Sequence, residues 1–210
     1  EQLDREITLL AIGPLLDALR RKYHDIPEVV GYLNQVQNDI PDHLADFRAD
    51  EKQAQASPLE ALLREDHLTR YKVNVLVDNR RTVGAPVVVE YRPTYYNLLG
   101  RVDYRSRFGA AVTDFTMIKP GAIHRANGGY LIVQARDLLL SPFSWETLKR
   151  TLRSGEVRIE NLGEQYSAIP TATLRPEPIP VNLKVVLVGE PYIYYLLYYL
   201  DEDFRRLFSV

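Results

Sequence analysis

One stretch in the second half of the sequence, residues 113–160, constrains the fold more than any other. A short apolar run, Tyr130 to Val133, is entered through Asn127-Gly128-Gly129 and is rich in β-branched and aromatic residues. Such a run predicts a buried parallel strand. A helix is predicted to open at Ser141-Pro142, because serine caps helices well and proline fits the first helical position. Gly155 should end that helix, and the residues after it alternate like a half-buried strand, so the stretch predicts an α/β domain.

Three further runs are predicted to be strands. Leu183–Val188 should lie beside Tyr130–Val133 as a parallel neighbour, because the helix between them makes a crossover connection. Pro86–Tyr91 is a short apolar run of the same kind, and Tyr71–Val77 alternates at its start before it becomes apolar. The strands alternate with helical patterns, which is typical of a parallel sheet.

The tyrosine-rich segment Pro191–Leu200 is predicted to be a helix. Tyr192, Tyr195 and Tyr199 would share one face of it, while Tyr194 and Tyr198 would share another. Aromatic residues on two faces favour contacts on both sides, and one of these sides would be a subunit interface. Ordinary packing in the core and on the surface is the alternative.

The first 70 residues are predicted to form a separate α-helical domain. A helix from Glu1 to about His24 should be kinked or split at Gly13-Pro14. A second helix from Ile26 to about Lys52 would pack against it as a hairpin, and Leu59–Arg70 would form a small third helix. The hairpin is either purely structural or a mobile arm that contacts a substrate.

Composition excludes several classes of protein. The net charge of −2 argues against general nucleic-acid binding, and no apolar run approaches the roughly 18 residues of a membrane-spanning helix. The absence of cysteine excludes disulfides and thiol catalysis, and no secretory signal is visible, so a cytoplasmic location is expected. The sequence does not begin with methionine, which indicates a piece of a longer protein. No metal site is predicted, because the histidines are scattered at His24, His43, His67 and His124.

Several long segments of the sequence resemble those of one protein family. GAIHRANGGYLIV, beginning at Gly121, resembles the segment before and through the Walker B strand of AAA+ ATPases. TDFTMIKPGAIHRANGGYLIV, PFSWETLKRTLRSGEVRIE and PEPIPVNLKVVLVGE resemble the ATPase-like part of Lon-like proteases of the LonB or LonC type. The resemblance covers roughly Tyr71 to Val210. It implies a partial AAA+-like parallel sheet with flanking helices at 71–210, preceded by an α-helical hairpin insertion at 1–70.

The resemblance also implies a nucleotide site, from which this sequence departs. No glycine-rich phosphate loop of the form GxxxxGK[ST] occurs in the 210 residues, so it would lie upstream of Glu1. Gln134 and Ala135 stand where the Walker B strand carries Asp and Glu, and Glu190 stands near the usual polar sensor position. An amide binds Mg²⁺ poorly and alanine cannot orient a water. No cofactor is therefore predicted here, and ATP with Mg²⁺ is expected only if an upstream loop exists.

Three groups of residues are candidates for contacts with other chains. By resemblance, Arg105, Arg107 and Phe108 belong to a loop that faces the pore of a ring, where Phe108 would grip a translocating polypeptide; local packing of Phe108 is the alternative. The other two groups are candidates for subunit contacts or arginine-finger-like roles. They are His124 with Arg125, and Arg205 with Arg206. The alternatives are helix capping or core polar bonding for the first pair and solvated arginines for the second.

The resemblance implies an AAA+-like module of a Lon-like serine protease. It would assemble homo-oligomeric rings, as a hexamer, and deliver unfolded protein substrates to a C-terminal Ser–Lys protease domain outside these residues. The segment itself would be non-catalytic and defective in ATP hydrolysis, while the parent chain would be a serine endopeptidase. The alternatives are an AAA+ regulator or remodelling ATPase without a protease, like the enhancer-binding activators, and a purely structural α/β domain.

Overall fold

The computed structural model describes residues 2–51, 67–107, 110–162 and 174–209. The chain divides into two compact units, Glu1–Val73 and Asn74–Val210. Most of the predicted helix at Leu59–Arg70 lies outside the described residues. Its described end belongs to a short 3₁₀ helix, His67–Tyr71.

The first unit is built on a helical hairpin. Its helices are, in chain order, α1 Gln2–Lys22, α2 Pro27–Asp42 and α3 Leu44–Glu51. Helices α1 and α2 run antiparallel, and an ion pair of 2.7 Å between Arg5 and Asp42 joins their open ends. Leu16 of α1 and Leu33 of α2 are buried between the helices. The predicted hairpin is therefore present.

Helix α1 is not split at Gly13-Pro14, where a kink or a split was predicted. It continues through both residues as one helix. Pro14 removes a single backbone donor, and packing against α2 outweighs that loss. The apolar stripe of α1 is wider than its contact with α2, so Leu3, Leu10 and Leu15 remain at least 70% exposed within this unit.

The predicted strand at Tyr71–Val77 is wrong. Tyr71 ends the 3₁₀ helix, and residues 72–77 form no strand pairing with any described residue. A strand needs a ladder of backbone hydrogen bonds, whereas here the side chain of Asn74 donates to the carbonyls of Phe115 and Ile118 at 2.8 and 3.1 Å. The apolar alternation that suggested a strand leaves Val75 68% exposed.

The second unit combines short strands with helices. The strands are β1 Val87–Glu90, β2 Arg101–Val102, β3 Arg105–Arg107, β4 Ala110–Val112, β5 Ile118–Lys119, β6 Tyr130–Gln134, β7 Glu156–Val157, β8 Ile179–Pro180 and β9 Lys184–Val188. The helices are α4 Tyr95–Leu99, α5 Ala122–Arg125, α6 Ala135–Leu140, α7 Ser144–Ser154, α8 Pro191–Leu200 and α9 Phe204–Leu207. The predicted helix at residues 191–200 is thus confirmed with its predicted bounds.

A parallel sheet in the order β1-β6-β9 forms the centre of this unit. Tyr130 pairs with Lys184 and Val133 with Leu187, so the two predicted apolar runs are adjacent parallel strands. Strand β1 pairs on the other side of β6, with Val87 opposite Tyr130. The predicted parallel sheet and its crossover are confirmed, and so is the α/β fold class with flanking helices and a preceding helical hairpin.

The two faces of this sheet differ in burial. Leu131 and Val133 of β6 point into the main core and are at most 1% exposed, where they meet Trp145 and Leu148 of α7. On the opposite face, which we call the open face, large apolar side chains are 41–61% exposed; they are Val87, Val89, Tyr130, Val186 and Val188. Alternation along each strand separates the two sets.

The connection after β6 differs from the prediction. Helix α6 follows the strand at once, and the next helix begins at Ser144 rather than at Ser141-Pro142. The residue before a proline is disfavoured in helical geometry, and Ser141 has an extended ψ of 118° that ends α6. Phe143, with a positive φ of 64°, then precedes α7. Gly155 ends α7 in the left-handed conformation, as predicted.

The predicted strand after α7 is shorter than expected. Only Glu156–Val157 forms a ladder, which is antiparallel to β8. The predicted alternation is correct, since Val157 and Ile159 are both buried. No helix in the described part of the chain is long and apolar enough to cross a membrane.

Candidate functional site

The carboxyl ends of the three central strands bring the predicted nucleotide-site residues together. Gln134 is the last residue of β6 and lies opposite Val188, the last residue of β9. Ala135 then begins α6, and Glu190 immediately precedes α8. A Cβ placed on Gly189 would meet the Cβ of Ala135 at 3.2 Å, so the two strand ends are closely packed. The edge where α/β sheets bind ligands therefore carries Gln134, Ala135 and Glu190.

Sequence reasoning missed an acidic residue at the same edge. Glu90 ends β1, and its side chain is only 14% exposed. Its carboxylate accepts a hydrogen bond from Arg125 at 3.1 Å and another from the backbone N–H of Arg92 at 3.0 Å. The signal was available, because a carboxylate stood one residue before the end of the predicted strand Pro86–Tyr91. Arg125, a predicted subunit contact, thus already has a partner within its own domain.

The side chains at this edge do not fit a bound Mg²⁺ of the Walker B kind. Magnesium prefers carboxylate oxygens, but Gln134 offers a neutral amide and Ala135 offers none. Asp137 is exposed in the first turn of α6, and Glu90 is committed to Arg125. Among the described residues, no three His, Cys, Asp or Glu side chains cluster as a metal site.

An apolar cleft lies beside this edge, between β9 and α8. Its walls include Val185, Leu187, Ile193 and Leu197, and Glu190 lies at its rim. None of the described residues that line it is a lysine or an arginine. A phosphate would find no cationic side chain there, which agrees with the neutral character of Gln134 and Ala135.

His124 lies in the interior of its own domain. Its ring is 5% exposed, and Nδ1 accepts a hydrogen bond of 3.2 Å from the backbone N–H of Gly121, at the start of α5. Burial lowers the pKa of His124 to about 4, so the ring is neutral near pH 7. Nε2 is buried and has no hydrogen-bond partner among the described residues. The contact that the structure gives His124 is a helix cap.

The hairpin of β3 and β4 carries the predicted pore-loop residues. Arg105 pairs with Val112 and Arg107 with Ala110 across the hairpin. Arg105 also forms an ion pair of 2.5 Å with Asp114, although more than half of its side chain is exposed. Phe108, the predicted gripping residue, lies outside the described residues.

The predicted arginine pair lies on the surface of α9. The guanidinium of Arg205 is 5.5 Å from the centre of the Tyr198 ring, in a cation–π contact. Arg206 is exposed, and none of the hydrogen bonds or ion pairs of side chains in the described residues involves its guanidinium. Both arginines are therefore accessible to another molecule.

A buried charge network behind this pair was not predicted. Lys149 on α7 is 4% exposed, and its Nζ lies 2.7 Å from Asp201 and 2.9 Å from Glu146. Trp145 donates its indole N–H to the same oxygen of Asp201, also at 2.7 Å. One signal was present in the sequence, since Lys149 falls on the apolar face of its helix, one turn after Trp145.

Comparisons with known proteins agree with this geometry. The family model described as "LonB-like, AAA domain" matches residues 83–210. A relative from Escherichia coli (strain K12), named "Putative Lon protease homolog", is 36% identical over 78 residues, which are 35% of this chain. The matched part covers 12% of that relative's length. Because the family model matches more than half of the sequence, the chain belongs to the family of LonB-like AAA domains.

Proposed function

We propose that this chain is the AAA+-like module of a Lon-like serine protease and that it assembles rings and delivers substrate without hydrolysing ATP. The observation that carries the proposal is the carboxyl edge of the sheet in a LonB-like domain, where Gln134 and Ala135 replace the acidic pair. Among the roles proposed for such a module, assembly and gating are the ones that need no metal-binding carboxylate, so we assign these two to it. The parent chain is then a serine endopeptidase whose Ser–Lys dyad lies in a separate domain.

Ring assembly is supported by two exposed surfaces of the second unit. Arg205 and Arg206 are available to an anionic group on a neighbouring subunit. The outer face of α8 exposes Tyr192, Tyr195 and Tyr199 by 56–74%, and tyrosine and arginine are enriched at protein interfaces. The proposed assembly is a closed homo-oligomer, a hexamer, in the cytoplasm.

Substrate delivery is assigned to the hairpin of β3 and β4. The two strands pair from Arg105 to Arg107, and Arg105 is well exposed. Phe108 joins these two strands in sequence and supplies an apolar side chain for gripping an unfolded polypeptide. The proposed substrates are unfolded proteins rather than nucleic acids.

The experiment that tests the nucleotide part is a phosphate-release assay with Mg-ATP on the full-length protein. We expect no turnover above the rate in a no-enzyme blank, while a small peptide is still cleaved by the protease domain. Gln134→Ala and Asp137→Asn serve as matched variants, and neither should change the phosphate signal. Turnover that disappears in either variant would mean that this strand end does hold the reacting nucleotide.

A further inference from the structure

We propose that Asp201 is the positioning residue for the arginine pair, Arg205 and Arg206, and that Lys149 holds Asp201 in place for this role. Asp201 does not itself touch the neighbouring subunit but fixes the turn that presents the two arginines. The inference rests on the proposed ring assembly and identifies the residues that hold the two contact arginines in position.

The carboxylate of Asp201 joins two parts of the domain. Its Oδ2 accepts hydrogen bonds of 2.7 Å from Lys149 and from Trp145, both on α7. Its Oδ1 accepts the backbone N–H groups of Asp203 and Phe204 at 3.0 and 3.2 Å, which begin the turn into α9. One carboxylate therefore ties the long helix α7 to the first turn of the short helix that carries the arginines.

Lys149 makes this connection hard to break. Its ammonium group is almost fully buried, and a buried charge without a partner is strongly destabilising. Burial opposes ionisation of Asp201, but the hydrogen bonds from Lys149 and Trp145 outweigh it and keep the pKa of Asp201 below its usual value. The pair is therefore charged at neutral pH, and Lys149 keeps Asp201 at a fixed point.

The other side of the same turn is anchored by aromatic packing. Phe204 is buried, with its ring centre 6.4 Å from that of Trp145 and 5.3 Å from that of Phe208. Helix α9 has only four residues, too few to be stable by itself. The backbone of Arg205 and Arg206 is thus held between Asp201 before it and Phe208 after it.

The network also explains why the arginines remain available. Two of the three acidic residues just before them are occupied, Asp201 by Lys149 at 2.7 Å and Asp203 by Arg153 at 3.1 Å, whereas Glu202 between them is exposed. Without these cations from α7, the two carboxylates would attract the arginines back to their own turn. Helix α7 therefore neutralises Asp201 and Asp203, the two acids that are fixed in the turn, and leaves the guanidinium of Arg206 for a second copy of the chain.

The test measures ring assembly of the full-length protein by sedimentation velocity over a concentration series. The double variant Arg205→Ala/Arg206→Ala should raise the concentration of half-assembly by about tenfold or more, which corresponds to about 1.4 kcal/mol. Asp201→Asn should raise it in the same direction. Added to the arginine double variant, Asp201→Asn should cause no further loss of assembly, although it should lower the Tm equally in both backgrounds.

The non-additive result separates positioning from a structural role. Further loss of assembly when Asp201→Asn is added to the arginine double variant would overturn the positioning role, as would normal assembly of Asp201→Asn alone. Normal assembly of the arginine double variant would instead overturn the proposed ring contact. Glu202→Gln, which neutralises an exposed carboxylate in the same turn, is the matched control and should leave assembly unchanged. If Asp201→Asn does not fold, Trp145→Phe, which removes one donor to Asp201, is scored by the same criteria.

Discussion

Gly121 lies so close to Leu98 that a Cβ on the glycine would come within 2.1 Å of the leucine's carbonyl oxygen. The backbone N–H of Gly100 would be 2.4 Å from the same Cβ, so the segment before α5 and the end of α4 touch through their main chains. Backbone cannot move aside as a flexible side chain can. The start of the helix that carries His124 is therefore fixed by a contact that only glycine permits.

Gly121→Ala should consequently destabilise the second unit by about 2–4 kcal/mol, because the added methyl group forces α4 and α5 apart. Chemical denaturation measures this loss when it is followed by circular dichroism, which reports on both units, and by the fluorescence of Trp145, the single tryptophan, which lies in the second unit. Gly31→Ala is the matched control, since a Cβ there meets nothing within 4 Å inside α2. It should stabilise the first unit by up to about 1 kcal/mol, and equal effects at both glycines would contradict the close-contact explanation.

Stability of the second unit should fall in mild acid because of His124. Its folded pKa of about 4 lies below the ordinary value of 6.5, so the unfolded chain binds the proton more readily. The stabilisation is complete above about pH 6.5 and is lost as the pH falls toward 4, by about 3 kcal/mol in all. The free energy of unfolding is measured between pH 7 and 4 for the parent and for His124→Asn, and the slopes of the two plots against pH are compared. His43→Gln, in the other unit, should retain the slope of the parent.

Tyr71 should ionise unusually late. Burial, followed by its hydrogen bond of 2.7 Å to Asp39, raises the pKa of the phenol to about 12. The stability that this group contributes is present below pH 10 and declines as the pH rises toward 12. Tyr71→Phe should therefore destabilise the helical unit by about 1 kcal/mol at pH 7 and remove one late-titrating phenol from the ultraviolet titration. Unchanged stability would mean that the bond to Asp39 has no net value.

Phe108→Ala in the full-length protease should slow degradation of an unfolded protein several-fold and leave cleavage of a short peptide nearly unchanged. The reason is that a peptide can diffuse to the protease domain, whereas a long chain must be handed on. Tyr91→Ala, which removes an exposed aromatic side chain at a different place in the domain, is the control and should affect neither substrate. Equal loss on both substrates would indicate damaged folding, and no loss on either would leave Phe108 without a role in delivery.

The strands that could be predicted are those whose apolar runs are short and enter the core. Tyr130–Val133 and Leu183–Val188 meet this condition, and the helix between them required a parallel arrangement. Tyr71–Val77 has a similar pattern but no neighbouring strand in the described residues, and pairing is not visible in a local sequence. Helix α6 was missed because its six residues are too few to show a helical period, and no capping side chain marks its start after β6.

Part of the candidate site could likewise be predicted from the sequence, and part could not. Parallel topology alone places Gln134, Ala135 and Glu190 at one edge of the sheet, so their proximity followed once the strands were known. The contact between Lys149 and Asp201 joins residues far apart in sequence, and lysine is normally expected at the surface. Only the packing of α7 against the turn before α9 reveals that this lysine is buried and paired.

The open face of the central sheet affects how the second unit responds to temperature. The heat-capacity change on unfolding scales with the apolar surface that becomes newly hydrated. Val87, Val89, Tyr130, Val186 and Val188 already have 41–61% of their surface in contact with water before unfolding begins. By itself, this unit should therefore have a flatter free-energy curve against temperature, and a smaller dependence on urea, than a domain of equal length whose sheet is covered on both sides.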